Sequence, residues 1–186
     1  MTAPALSKDV HPRFDHPGLH ELIAPRDPLW TPRELRELTS SVAADFRTRL
    51  VEVVRFASPQ RWWTQLAVTD EVELWLLSWL PGQGTAPHDH GGAAGSFTVL
   101  FGDLSETYRY PSGPIREHQH AEGASIGFGQ GRAHQVRNLG QVKAASVHAY
   151  SPPLVPTREY ATLRDVPDEI PALPAPRLAG FSGLAG

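Results

Sequence analysis

The chain has 186 residues, hydrophobic content of 40% and a formal net charge of −3 with no block of like charge. That is one ordinary domain's worth of sequence, able to bury a core. Its charge balance argues against nucleic acid or an anionic membrane as the main partner. No apolar run approaches the roughly 18 residues of a membrane span, and the N-terminal residues lack the apolar region of a secretory signal. Cysteine is absent, which excludes disulfides, thiolate ligands and a cysteine nucleophile and fits a cytoplasmic protein.

Residues 1–30 are rich in proline, histidine and charge. They are expected to lie over the surface with little regular structure, leaving His11, His16 and His20 solvated. A helix is predicted from about Thr31 to Leu50. Thr31 is a suitable N-cap with Pro32 at the first helical position, and Leu35, Leu38, Val42, Ala43 and Phe46 recur at spacings of three and four. From Arg61 onward the pattern changes to short apolar stretches punctuated by glycine, proline and aspartate. Strands are predicted over 62–68, 72–80, 94–101, 104–110, 115–120, 124–128, 133–138 and 143–150. So many closely spaced strands imply a closed or sandwiched antiparallel architecture. The tail from Val166 is rich in proline, alanine and glycine and is expected to be extended or mobile. The chain thus divides into an N-terminal extension and helical segment (1–60), a β region (61–165) and a tail (166–186), one domain overall.

The chemistry centres on three histidines. His88 and His90, in "GQGTAPHDHGG", are two apart and share one face if the segment is a strand. His134, in "GRAHQVRN", could complete a three-point grip on one metal ion. Asp89 would then point away, behind the site or to the surface. The flanking Gly82, Gly84, Gly91, Gly92 and Gly95 permit tight turns and leave space beside a metal.

These stretches resemble the cupin superfamily and, within it, the cysteine dioxygenase family of thiol dioxygenases. The first motif runs Gly82, His88, His90, Gly95, Gly102, with Gly95 where a glutamate is usual. The second is Gly131, His134, Asn138, with Gly129 in place of a proline. A third, "SVHAYSPPL", places Ser146, His148 and Tyr150. The resemblance covers about residues 61–155. It implies an all-β-dominated fold, a small jelly-roll-like cupin barrel with an N-terminal helical segment. It also implies one Fe(II) per chain on His88, His90 and His134. Without the glutamate the metal keeps its full charge, which an anionic thiolate substrate offsets. A three-histidine site would equally hold zinc, and the surrounding motifs are what favour iron. Glu106, in "GDLSET", is expected to be structural. Some members carry a cysteine at the Gly95 position, cross-linked to the active-site tyrosine. Here Tyr150 must be uncross-linked, as in several bacterial relatives. Tyr150 would donate a hydrogen bond near the oxygen or substrate, oriented by His148, which Ser146 supports. All three alternate along one strand and share a face.

The resemblance further implies a small thiol carboxylate and dioxygen as substrates, most simply L-cysteine going to cysteine sulfinate. An arginine early in the barrel binds the carboxylate in cysteine-specific members, because its fork makes two charge-assisted hydrogen bonds. The matching stretch here is "QRWWTQLAV". The position falls on Thr64 or Gln65, with Arg61 a few residues earlier. A glutamine there marks the 3-mercaptopropionate dioxygenases, some of which also use a later arginine, in a place similar to Arg158. Gln65, Arg61 and Arg158 are therefore the candidate substrate-binding residues. Trp62, Trp63, Trp75 and Trp79 are expected in the core or over the pocket, and His118 and His120 on a strand surface. The chain is expected to be a monomer or a small homo-oligomer. Rival readings are another metal-dependent cupin enzyme and a non-catalytic cupin sensor.

Overall fold

Thr31 begins the long helix by a reciprocal cap. Its side chain accepts the Glu34 N–H while the Glu34 carboxylate accepts the N–H of Thr31, and Pro32 fills the first turn. The computed structural model describes residues 8–26, 30–153 and 157–170. In chain order its elements are β1 (Lys8–Val10), α1 (Pro17–Leu22), α2 (Pro32–Asp45), α3 (Arg47–Val53), β2 (Trp63–Thr69), β3 (Glu73–Trp79), β4 (His88–Asp89), β5 (Ala94–Phe101), β6 (Leu104–Arg109), β7 (Arg116–His120), β8 (Ser125–Phe128), β9 (Ala133–Arg137), β10 (Ala144–Ser151) and β11 (Arg158–Glu159). None of the helices among these residues is long and apolar enough to cross a membrane.

The strands form two antiparallel sheets. One is ordered β1-β2-β3-β10-β5-β8 and the other β11-β4-β9-β6-β7. Among the described residues no strand pairing joins them, so they face one another as a sandwich, the second of the two architectures the strand pattern allows, and do not close into a barrel. The two-residue strands β4 and β11 are too short to carry a ladder around the edge.

Strand parity divides the core in two. Leu74 and Leu76 of β3, with Ala145, Val147 and Ala149 of β10, face the helices. There they meet Leu35, Leu38, Val42 and Ala43 on the buried side of α2. The alternate residues Trp79, Phe97, Val99, Phe128, Val136, Ala144 and Tyr150 fill the space between the sheets. β10 is buried on both faces along its whole length. Thr39 of α2 meets Ser96 (2.8 Å) and Thr98 (2.9 Å) of β5, so the polar groups under the helix are paired.

Three expectations are corrected. The predicted helix is interrupted at Phe46, whose backbone (φ −109°, ψ 14°) leaves helical geometry. Its ring packs beside Phe14 and His16. The N-terminal stretch is also structured. β1 extends the first sheet by pairing with β2, and Phe14, Leu19, Ile23 and Trp30 are buried. His11 and His16 there are helix N-caps, each followed by a proline in the first turn. His11 Nδ1 accepts the Arg13 N–H, and His16 Nδ1 accepts the Gly18 N–H ahead of Pro17 at the first turn of α1. His20 lies 2.6 Å from Asp15. Of the expected extended tail, Val166 is instead buried beside Leu163, and residues 171–186 lie outside the described residues.

Candidate metal centre and its cavity

His88 and His134 stand directly opposite one another on β4 and β9. His90 follows at the end of β4, and the three rings lie 4.9–5.0 Å apart, centroid to centroid. One nitrogen from each falls within 4.8 Å of the others. Each ring is fixed from behind. His88 Nδ1–H donates to the Ala86 carbonyl (2.8 Å), His134 Nδ1–H donates to Glu106 Oε1 (2.6 Å), and His90 is hydrogen-bonded to the backbone of Arg132. His90 Nε2 is buried with no partner. Burial, then the neighbouring His134, lowers His88 to about 3 and holds His90 well below the ordinary histidine range. Three imidazoles converging on one point, one with an unmet buried lone pair, fit a divalent transition metal.

The cavity over these rings is about 750 Å³. Trp63, Trp75, Leu77 and Trp79 form one wall, and Thr157 and Glu159 lie on the other side. Trp63 is 57% exposed and meets Trp75 edge-on at 5.2 Å. Arg61 enters from the loop before β2. Its guanidinium lies over the Trp79 ring, 4.0 Å from the centroid, and its Nε and Nη1 are buried without hydrogen-bond partners. Burial lowers it to about 10, so it remains a cation at neutral pH. An unsatisfied buried guanidinium facing a cavity is a site for a carboxylate.

Tyr150 completes the wall. Trp79 Nε1–H donates to Ser146 Oγ (2.9 Å), Ser146 lies 2.8 Å from His148 Nε2, and His148 Nδ1 lies 3.1 Å from the Tyr150 hydroxyl. The directions follow from counting donors. Ser146 is fully buried and already accepts from Trp79, so its own O–H needs an acceptor, which His148 Nε2 provides. His148 Nδ1–H then donates to the Tyr150 oxygen. The phenolic O–H is left to donate into the cavity. Burial, then the Arg61 charge, keeps His148 neutral. Burial, then the Glu73 carboxylate, pushes Tyr150 well above the ordinary tyrosine range, so it stays a phenol.

The three substrate-binding candidates part company. Arg61 lines the cavity. Gln65 stands opposite Trp75, but its amide turns to Glu73 (3.4 Å) and it is not part of the wall. Arg158 is turned onto Asp89, with Nε at 3.1 Å and Nη2 at 3.3 Å, and is likewise outside the wall. Asp89 is fully buried, accepts from Tyr160 and the Gly91 N–H, and so ties β4 to β11.

The expected surface histidine His120 is in fact buried and bonds Glu106 (3.0 Å). Glu106 also accepts from Arg132 Nη2 (2.6 Å). The signal for Glu106 was its parity. It lies two residues from buried Leu104 on β6, opposite Val136, on the face that carries His134. Asn138 donates to the Trp79 and Val142 carbonyls, fastening the loop behind the site.

Two facing antiparallel sheets with a three-histidine group between them define a cupin, or double-stranded β-helix, protein with a candidate metal site. A conserved protein with a double-stranded β-helix domain from Klebsiella pneumoniae is 19% identical, over 61% of this chain and 89% of that one (TM-score 0.51). The capsular polysaccharide assembling protein CapF from Staphylococcus aureus is 18% identical over 57% of this chain and 31% of that one (TM-score 0.51). TT1209 from Thermus thermophilus is 22% identical over 55% and 93% (TM-score 0.49). The first two likenesses bear on the fold alone. The family model of cysteine dioxygenase type I matches residues 33–162, and the chain belongs to that family.

Proposed function

We propose that this protein is an iron(II)-dependent thiol dioxygenase that adds both atoms of dioxygen to the sulfur of a small thiol carboxylate, with L-cysteine going to cysteine sulfinate. The observation that carries the reading is that a partnerless guanidinium, Arg61, shares one cavity with the three-histidine group. His88, His90 and His134 would hold the metal. Iron(II) bound there supplies the redox chemistry by which dioxygen adds to a thiolate sulfur.

The chain's own residues do the rest. Arg61 takes the carboxylate and fixes one end of the substrate, which converts a chance encounter at sulfur into an oriented one. Arg61 stays a cation and makes its end of the cavity favour an anion, and a divalent metal on the histidines would do the same at the other end. Tyr150 donates its O–H to the reacting oxygen or the carboxylate, and His148 and Ser146 hold it in that direction. The tryptophans give the substrate an apolar wall beside the metal position. Glu159, the acidic residue in the wall, suits an amine, which favours L-cysteine over 3-mercaptopropionate.

The test is oxygen consumption by anaerobically iron-loaded protein with L-cysteine and 3-mercaptopropionate in parallel, with sulfinate quantified. Turnover of cysteine with one sulfinate per oxygen supports the reading. Preference for 3-mercaptopropionate moves the protein to that branch. No uptake with either thiol overturns the thiol chemistry.

A further inference from the structure

Gly95 stands where related sites carry a glutamate, and any side chain there would force neighbouring rings to shift. A Cβ at this position would lie 2.5 Å from the Phe128 ring and 2.9 Å from Tyr150 Cδ1. Phe128 packs 5.2 Å from the His90 ring and 5.3 Å from that of His134, so this side of the three histidines is apolar. With glycine at position 95, no carboxylate is offered from this side.

A buried carboxylate instead lies behind His134, hydrogen-bonded to its Nδ1. We propose that Glu106 is a positioning residue that supplies through the His134 imidazole the negative charge that Gly95 cannot supply directly. The proposal rests on the metal-site reading above. Glu106 is fully buried and its two oxygens are divided. Oε2 is anchored by Arg132 (2.6 Å) and His120 (3.0 Å), which leaves Oε1 aimed at His134 Nδ1–H (2.6 Å). That bond fixes the proton on Nδ1 and presents the Nε2 lone pair to the metal position. Of the three histidines, this one alone is backed by a charged acceptor. His88 leans on a carbonyl and His90 on the Arg132 backbone. A carboxylate behind an imidazole makes it a stronger donor to a metal. Arg132 is pinned in turn, its guanidinium 3.5 Å over the Tyr108 ring. One residue thereby holds Glu106 with its side chain and His90 with its backbone.

The experiment measures affinity of the metal-free protein for cobalt(II) and zinc(II) by chelator competition, with folding followed by circular dichroism. Glu106→Gln keeps the shape and removes the charge. It should bind metal roughly ten- to a hundredfold more weakly. Glu106→Asp keeps the charge but shortens the reach, and should fall between Glu106→Gln and the parent. The iron(III)/iron(II) midpoint should rise in Glu106→Gln, a change that loosened packing alone would not produce. Folded variants that both bind metal as the parent does would overturn the proposal. If Glu106→Gln fails to fold, an unchanged affinity in Glu106→Asp would do the same. Because the readout is metal binding, a parent protein that holds cobalt(II) tightly but oxidises no thiol would overturn the proposed function and leave this inference standing.

Discussion

The Arg61 guanidinium lies over the Trp79 ring, 4.0 Å from the indole centroid, while the indole N–H is donated to Ser146. One fully buried side chain thus supports both ends of the cavity, the cation and the Ser146–His148–Tyr150 relay. The two contributions separate by substitution. Trp79→Phe keeps an aromatic face for Arg61 and loses the N–H, so it should lower kcat and leave KM nearly unchanged. Trp79→Leu also removes the cation–π contact, worth roughly 0.5–2 kcal/mol, and should raise KM as well. Steady-state kinetics with L-cysteine read the difference. Equal effects of the two variants on KM would refute it.

Arg61→Met should lower kcat/KM for L-cysteine by roughly ten- to a hundredfold, the cost of losing a charge-assisted hydrogen bond. Metal content should not change. Cysteamine, which has the thiol and amine but no carboxylate, should be used equally by parent and variant. If cysteamine turnover falls as far as cysteine turnover, Arg61 serves the cavity's shape and not the carboxylate.

Gly95→Ala places a methyl against Phe128 and Tyr150. Overpacking of this kind costs roughly 1–3 kcal/mol, and the Tyr150 ring must shift from its stack on His90, now 5.0 Å between centroids. Thermal melting should show the loss, and Phe128→Leu in the same chain should restore part of it. A melting temperature equal to the parent's would mean that the Phe128 ring yields freely.

The metal-free protein should lose stability in mild acid. His148 is buried beside the Arg61 charge, which holds its pKa well below the ordinary value of 6.5. Above about pH 6.5 it is neutral folded and unfolded, and contributes no pH dependence. Below that pH the unfolded chain takes up a proton that the folded one excludes. Stability therefore falls as pH drops, by up to about 1.4 kcal/mol per pH unit for one such histidine. His88, lowered to about 3, acts in the same direction. Urea unfolding at several pH values should show the slope, and His148→Gln should make it shallower. An identical slope in the variant would place the His148 proton elsewhere.

What could be read from residues alone follows the short-range rules. Alternation along one strand brings Ser146, His148 and Tyr150 together, and the same rule pairs His88 with His90 and turns Asp89 away. The Thr31 cap is equally local. Less legible were contacts set by pairing between distant segments. Glu106 meets His120 and His134 because β6 lies between β7 and β9. That Arg61 lines the cavity while Gln65 does not depends on a long side chain entering from the loop before β2, which no local pattern shows. The N-terminal histidines and prolines carry the composition of a loop, yet His11 and His16 serve as helix N-caps for a segment whose apolar residues lie one or two turns further on.

Asp89 gives the two-residue strand β4 opposite loyalties on its two sides. One side presents His88 to the metal position. The other grips Arg158 and Tyr160, and through them the stretch that brings Thr157 and Glu159 to the cavity. The spacing of the mouth is therefore referenced to the same backbone as the reactive centre. One buried carboxylate thus sets the width of the opening as well as the seat of a metal ligand.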